Sequence, residues 1–469
     1  MYSIKINGKL LYAEEGTLLS DVLMKNGEPV VHLCGGRGTC RKCVVLVNGK
    51  EELSCRYRIN SDISVVLPED ERIFSESGVK ADGHITDNIC FALDIGTTTL
   101  ALALVSVDEK QIIRVVTASN PQRAFGADVI SRIQYCKERG CFDLQSSLIE
   151  KLNSMISEFN IDTVDKLYVA GNTTMLHLLL GVDCSSIGVA PYTPAFLEGQ
   201  TVSAEELKLE GVRQVITLPN ISSFIGADIV AGLNSVEMPP KGKHSILVDL
   251  GTNAEIVLFS EEDSICTAAA AGPCFEGANI SRGMSATSGA ICAFSIDQMG
   301  EKHIKTIENA PAKGLCGTGL IDTVAELLRV NAIDETGYLE DSPYYIAEDV
   351  TLDQNDIRQF QLAKSAVYAA MLTLMNIKKI DFDQIDRLYL SGGFSAHIDL
   401  ENAKRTGLLP CELVERCVPL NNSSLQGTVK FALESNDLSK HVNNARYVDL
   451  SSDLYFCNAF VEYMMFNSQ

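Results

Sequence analysis

Apolar and polar positions alternate in short runs at the start of the chain. Tyr2 to Ile6 and Leu10 to Ala13 read as strands around a turn at Asn7-Gly8. Leu18 to Asn26 reads as a short helix with Thr17 at its N-cap. Val44 to Val47 and Glu51 to Ser54 follow as strands joined at Asn48-Gly49, a pair that favours a tight hairpin turn. Residues 69–88 are acidic and lack any period, which predicts a linker. From Ile89 the pattern changes to longer apolar runs, the mark of strands covered on both faces. Ile89 to Asp94, Leu100 to Val107, Ile246 to Asp249, Glu255 to Phe259 and the run closing at Leu388-Tyr-Leu390 are of this kind. Helical patterns separate them, including one that opens with an acidic turn at Asp353 and extends to about Met375.

Composition narrows the class. At 469 residues the chain predicts two to four domains at about 100–200 residues each. A net charge of −22 argues against nucleic acid and against an anionic membrane surface as partners. No run approaches the ~18 apolar residues of a membrane-spanning helix, and the first residues lack the apolar core of a signal peptide. Fifteen scattered cysteines, an odd number, predict reduced thiols and a cytoplasmic location.

Four of those cysteines stand apart. Cys34, Cys40 and Cys43 share one glycine-rich loop with the spacing C-x5-C-x2-C, and Cys55 follows at the far end of the predicted hairpin. Three thiolates on a loop and a distant fourth is the plant-type arrangement for a [2Fe–2S] cluster. Glycines in the loop let the backbone approach the cluster and turn its N–H groups towards the sulfurs. Structural zinc is the other reading of four cysteines, but such sites usually pair two short knuckles, and only one short pair is present. The segment 1–68 resembles [2Fe–2S] ferredoxins, with a shorter gap before the fourth cysteine than photosynthetic ferredoxins have.

The longer part of the chain carries a repeated turn. Asp94-Ile-Gly96-Thr97-Thr98 and Asp249-Leu-Gly251-Thr252-Asn253 each end one apolar strand and begin another. Glycine admits an anion to backbone N–H groups, threonine adds donors, and the aspartate can hold Mg2+ through water. Gly171-Asn172 and Gly392-Gly393 end two further strands, Asp228 starts a helix, and Gly317-Thr318-Gly319 opens another. Singly each is a common turn or cap. In this order they resemble the actin, sugar-kinase and heat-shock-protein ATPase superfamily. That resemblance implies two subdomains closing on ATP and Mg2+, with Asp94, Asp228 and Asp249 as catalytic acids and the glycine turns on the nucleotide. The glycine-rich loop 272–283 is expected to line the cleft or a partner surface. The remaining cysteines, Cys136, Cys141 and Cys184 among them, are expected to be small buried hydrophobes.

The two halves together, with Gly171-Asn-Thr-Thr-Met, Ala271-Gly-Pro-Cys-Phe-Glu-Gly277 and Asp356-Ile-Arg-Gln359, resemble ATP-dependent reductive activators of corrinoid proteins. The fold this implies is α/β and α+β. A β-grasp [2Fe–2S] domain at 1–68 and a linker at 69–88 precede actin-like subdomains at 89–240 and 241–469. The implied activity is one-electron reduction of inactive Co(II) to Co(I) in anaerobic methyl transfer. Implied partners are a corrinoid protein and a low-potential donor such as ferredoxin or flavodoxin; monomer and homodimer both stay open. Three other functions compete: an ATP-driven electron donor to a different enzyme, a small-molecule kinase with a redox-sensing ferredoxin domain, and a non-enzymatic redox sensor or scaffold that binds nucleotide without turnover.

Overall fold

The computed structural model describes residues 1–6, 9–26, 38, 43–67 and 88–466. Cys34, Cys40 and nearly all of the expected linker lie outside those residues.

The N-terminal unit is one mixed sheet of β1 (Tyr2–Ile6), β2 (Lys9–Ala13), β3 (Val44–Val47), β4 (Lys50–Leu53) and β5 (Ile63–Val66). The strand order is β2-β1-β5-β3-β4, with β1 and β5 parallel, which is the β-grasp order. Alternate residues Ile4, Ile6, Val45, Val47, Ile63 and Val65 face inward and meet Leu19 and Leu23 of the helix Leu19–Lys25.

The rest of the chain forms two lobes around two six-stranded sheets. In the first, β6 (Ile89–Ile95), β7 (Thr99–Ser106) and β8 (Gln111–Ser119) form an antiparallel meander. β9 (Val164–Gly171) lies parallel to β6, β11 (Val212–Thr217) parallel to β9, and β10 (Thr201–Ser203) closes the edge. The second repeats this plan. β12 (His244–Leu250), β13 (Ala254–Phe259) and β14 (Ser264–Ala269) form the meander. A small insert follows, built from β15 (Ala290–Ile296), β16 (Lys302–Thr306), β17 (Gly314–Leu315), β18 (Tyr344–Tyr345) and β19 (Thr351–Leu352). Then β20 (Ile385–Ser391) runs parallel to β12, β21 (Cys417–Pro419) parallel to β20, and β22 (Ala445–Tyr447) borders β14. β6 and β12 are central and nearly all apolar because both faces are covered.

Two helices join the lobes. The helix Ala227–Ser235 turns Ala227, Val230 and Ala231 into the core of the first lobe. Its other face packs Ile229 and Leu233 against Leu247, Val257 and Tyr389 of the second. The helix Ser423–Glu434 leaves the second lobe after β21 and lays Leu425, Val429 and Ala432 on the first. The two helices touch backbone to backbone. A Cβ on Gly427 would lie 1.7 Å from the Ala231 carbonyl oxygen, so only glycine permits this crossing. Among the described residues no helix is long and apolar enough to cross a membrane.

Candidate functional site

The two expected turns face each other across the cleft between the lobes. Asp94 and Asp249 stand near the ends of the central strands β6 and β12, and Asp228 sits in the first turn of the connecting helix Ala227–Ser235. Gly96, Thr97, Thr98, Asn172, Gly251, Thr252, Asn253, Gly317, Thr318, Gly392 and Gly393 all line the same cleft. Gly171 and Gly319 lie behind it as close-approach positions. A Cβ on Gly319 would sit 2.0 Å from the Ile291 carbonyl oxygen, and one on Gly171 2.9 Å from that of Ile95.

The first turn is braced from its own lobe. Asn120 Nδ2 donates to the Gly96 carbonyl at 2.8 Å, and the Arg132 guanidinium donates to the Thr97 carbonyl at 2.5 Å. A planar trans peptide points its N–H opposite its C=O. Holding those carbonyls back therefore turns the N–H groups of Thr97 and Thr98 towards the cleft, as an anion needs. Arg132 is fully buried, also donates to the Gly126 carbonyl at 2.9 Å, and burial lowers it to about 9, still charged at neutral pH. Asn172 caps the helix Thr173–Leu179 by accepting from Met175 N at 3.0 Å, while its Nδ2 donates to Thr97 Oγ1 at 3.2 Å.

Asp94 is held from the start of the helix Ser423–Glu434. Asn422 Nδ2 and Ser424 Oγ donate to its two oxygens, each at 2.7 Å. Asn422 is also the N-cap of that helix, so one side chain both starts the helix and orients the acid. Glu276, on the glycine-rich loop, spans the two turns: Thr252 Oγ1 donates to it at 2.7 Å and Thr98 Oγ1 at 3.4 Å.

The acids raise one another. Burial, then the charges of Asp249 and Asp94, push Asp228 up to about 7. Burial pushes Asp249 to about 6 against a hydrogen bond from Ser391, with Asp94 and Glu276 adding to the rise. Asp94 and Glu255 are raised as well, burial first in both; Asp228 and Asp249 add to the rise of Glu255. Each carboxylate keeps an edge open to the cleft. A set of hard oxygen donors that repel one another fits Mg2+. Among the described residues, no three of these acids bring their oxygens within 4.8 Å of one another.

In the N-terminal unit the hairpin β3–β4 returns Cys55 to Cys43. Their sulfurs lie 3.2 Å apart and both residues are buried. Gly38 has φ 74, the backbone state glycine was expected to supply to the loop. Two converging soft donors at the mouth of that loop fit an iron–sulfur cluster, with Cys34 and Cys40 outside the described residues.

A [2Fe–2S] β-grasp domain joined to an actin-like ATPase fold defines the class of protein. Comparison with known families agrees: the 2Fe-2S iron-sulfur cluster binding domain matches residues 1–66, the RACo middle region 89–241, and the C-terminal ASKHA domain of RACo 243–469. The chain belongs to the RACo family of corrinoid reductive activators. The first lobe is thus the family's middle region. Corrinoid activation enzyme RamQ of Eubacterium limosum is 26% identical, over 84% of this chain and 86% of that one. The [Co(II) methylated amine-specific corrinoid protein] reductase of Methanosarcina barkeri is 27% identical over 76% of this chain and 72% of its own. A solved structure of a reductive activator for corrinoid, iron-sulfur protein superposes with a TM-score of 0.73 at 26% identity, covering 99% and 98% of the two chains.

The sequence did not single out Asn120, Arg132, Asn422 or Ser424, and it left Glu276 without a role. Arg132 carried a signal, being a charge on the helix face that also bears Ile133 and Cys136. The Asn422-Ser-Ser-Leu text was a legible helix start.

Proposed function

We propose that the chain is an ATP-driven reductase that returns the cobalt of a corrinoid protein from Co(II) to Co(I). The observation that carries this is the paired, acid-lined phosphate cleft in one chain with a two-cysteine convergence of ferredoxin type. The cluster, when bound, supplies one electron at low potential. Cys34, Cys40, Cys43 and Cys55 would hold it.

The cleft residues do the rest. N–H groups of Thr97 and Thr98 and the hydroxyls of Thr98 and Thr252 bind the phosphates. Asp94 and Asp249 would hold Mg2+ through its waters, and Asp228, poised at about 7, takes a proton from the attacking water. Gly317, Thr318, Gly392 and Gly393 line the adenosine side. Glu276 yields its threonine hydroxyls to the phosphates, and this exchange closes the lobes. ATP contributes through the difference in affinity for the corrinoid partner between open and closed lobes. A grip that favours cobalt without its lower ligand raises the Co(II)/Co(I) potential, so the electron passes.

The test is anaerobic. The protein is reduced with dithionite or flavodoxin and mixed with a Co(II) corrinoid protein, with and without Mg-ATP, while the Co(I) absorption band is followed. Co(I) that appears only with Mg-ATP supports the reading. Phosphoryl transfer to a small metabolite, with no Co(I), would replace it with the kinase reading.

A further inference from the structure

Cys136, Cys141 and Cys184 depart from the expectation of isolated buried thiols. The fold brings their three sulfurs within 4.8 Å of one another. They arrive on separate segments. Cys136 lies in the last turns of the helix Val129–Arg139 and Cys141 is the N-cap of the helix Phe142–Ser157. Cys184 precedes the short turn Ser185–Gly188. All three are free thiols; Cys136 and Cys184 are buried and Cys141 is partly open.

Packing alone does not explain this. A cysteine used as a small hydrophobe turns its sulfur to carbon, whereas these turn theirs to each other. Beside the sulfurs a recess of about 530 Å³ opens to solvent, lined by Cys136, Cys141 and Asp183 among others. The Asp183 carboxylate is already aligned by Ser185, at 3.0 Å from its N–H and 2.6 Å from its hydroxyl.

We propose that Cys136, Cys141 and Cys184 form a three-sulfur site for a thiophilic divalent ion, Zn2+, with the fourth position open to the recess beside Asp183. Tetrahedral zinc with Zn–S of about 2.3 Å sets its sulfurs just under about 4 Å apart, which lies inside the 4.8 Å limit of the present triangle. Each thiol that ligates gives its proton to solvent, and binding strengthens as pH rises. The ion would staple two helices and a loop of the first lobe. One of those helices carries Arg132, one turn before Cys136, which braces the phosphate turn.

The test uses full-length protein isolated anaerobically with its iron, then given Zn2+ and desalted. Metal analysis is expected to find about one zinc per chain beside the iron, and at least about tenfold less zinc in Cys141→Ser with iron unchanged. Cys457→Ser, an exposed position, keeps the zinc. Zinc-edge absorption fine structure is expected to give three sulfurs and one light atom. Equal zinc in wild type and Cys141→Ser overturns the proposal. So does a zinc shell of four sulfurs, which would mean capture by the N-terminal cysteines. A Cys136–Cys184 disulfide in the anaerobic protein overturns it too. If Cys141→Ser does not fold, the zinc shell of the wild type decides.

Discussion

The two phosphate turns have nearly the same text and the same place in their sheets, yet they are held differently. The turn at Gly96–Thr98 is tied from behind by Asn120 and Arg132 and from the side by Asn172. Among the described residues no side chain braces the Gly251 and Thr252 carbonyls; the Thr252 hydroxyl instead reaches Glu276, on a loop that also contacts the opposite turn. A turn with fixed carbonyls presents its N–H groups before the anion arrives. A turn that shares a carboxylate with its counterpart changes partner when a phosphate displaces it. On the proposed reading, one lobe receives the nucleotide and the other registers it.

The largest effect tests what the two turns share. Asp249→Asn and Asp94→Asn should each lower ATP turnover by about 10²–10³-fold. The visible spectrum of the cluster should stay unchanged; loss of both would break the division of labour between the two parts. Next comes the brace that only the first turn has. Arg132→Met should weaken nucleotide binding by about tenfold or more, measured by calorimetry, because the Thr97 carbonyl is released. Unchanged affinity would mean the turn is set by its backbone alone. Third is the bridge. Glu276→Gln removes one negative charge from the path of the phosphates and should tighten ADP binding by about tenfold. Weaker binding would make Glu276 a ligand and not a placeholder.

The smallest effect is in pH. Asp228 at about 7 and Asp249 at about 6 both sit above the 3.8 of a free aspartate. Their contribution to stability is therefore full below about pH 3.8 and is lost as pH rises through 6 and 7. A cation needs the charged forms. Mg-nucleotide should bind with proton release between pH 5 and 7, seen as a buffer-dependent heat, and most tightly above about pH 7.5. Asp228→Asn should remove most of that release, and with one repelling acid gone it should melt higher at pH 8.

The fold was legible where one stretch of chain carries its own reason. The D-x-G-T turns show because strand, turn and strand are contiguous, and the Asn48-Gly49 hairpin predicts that Cys55 returns to the loop. The supports of the cleft were not legible, because each acts across the fold. Asn422 reaches Asp94 over 328 residues, and Glu276 reaches Thr98 over 178. No local period records such a contact. The three converging cysteines escaped for the same reason: Cys136 and Cys141 are near in sequence, but the third sulfur comes from a different helix–loop corner.

The central claim is that hydrolysis in the cleft drives the electron from the N-terminal cluster to cobalt. Its most direct test is a pair of variants in one anaerobic assay with a Co(II) corrinoid protein and Mg-ATP. Asp249→Asn should keep a reducible cluster and Cys55→Ser should keep ATP turnover, and neither should give Co(I). Co(I) formation by Asp249→Asn at the wild-type rate would contradict the account, since the electron would then pass without the cleft.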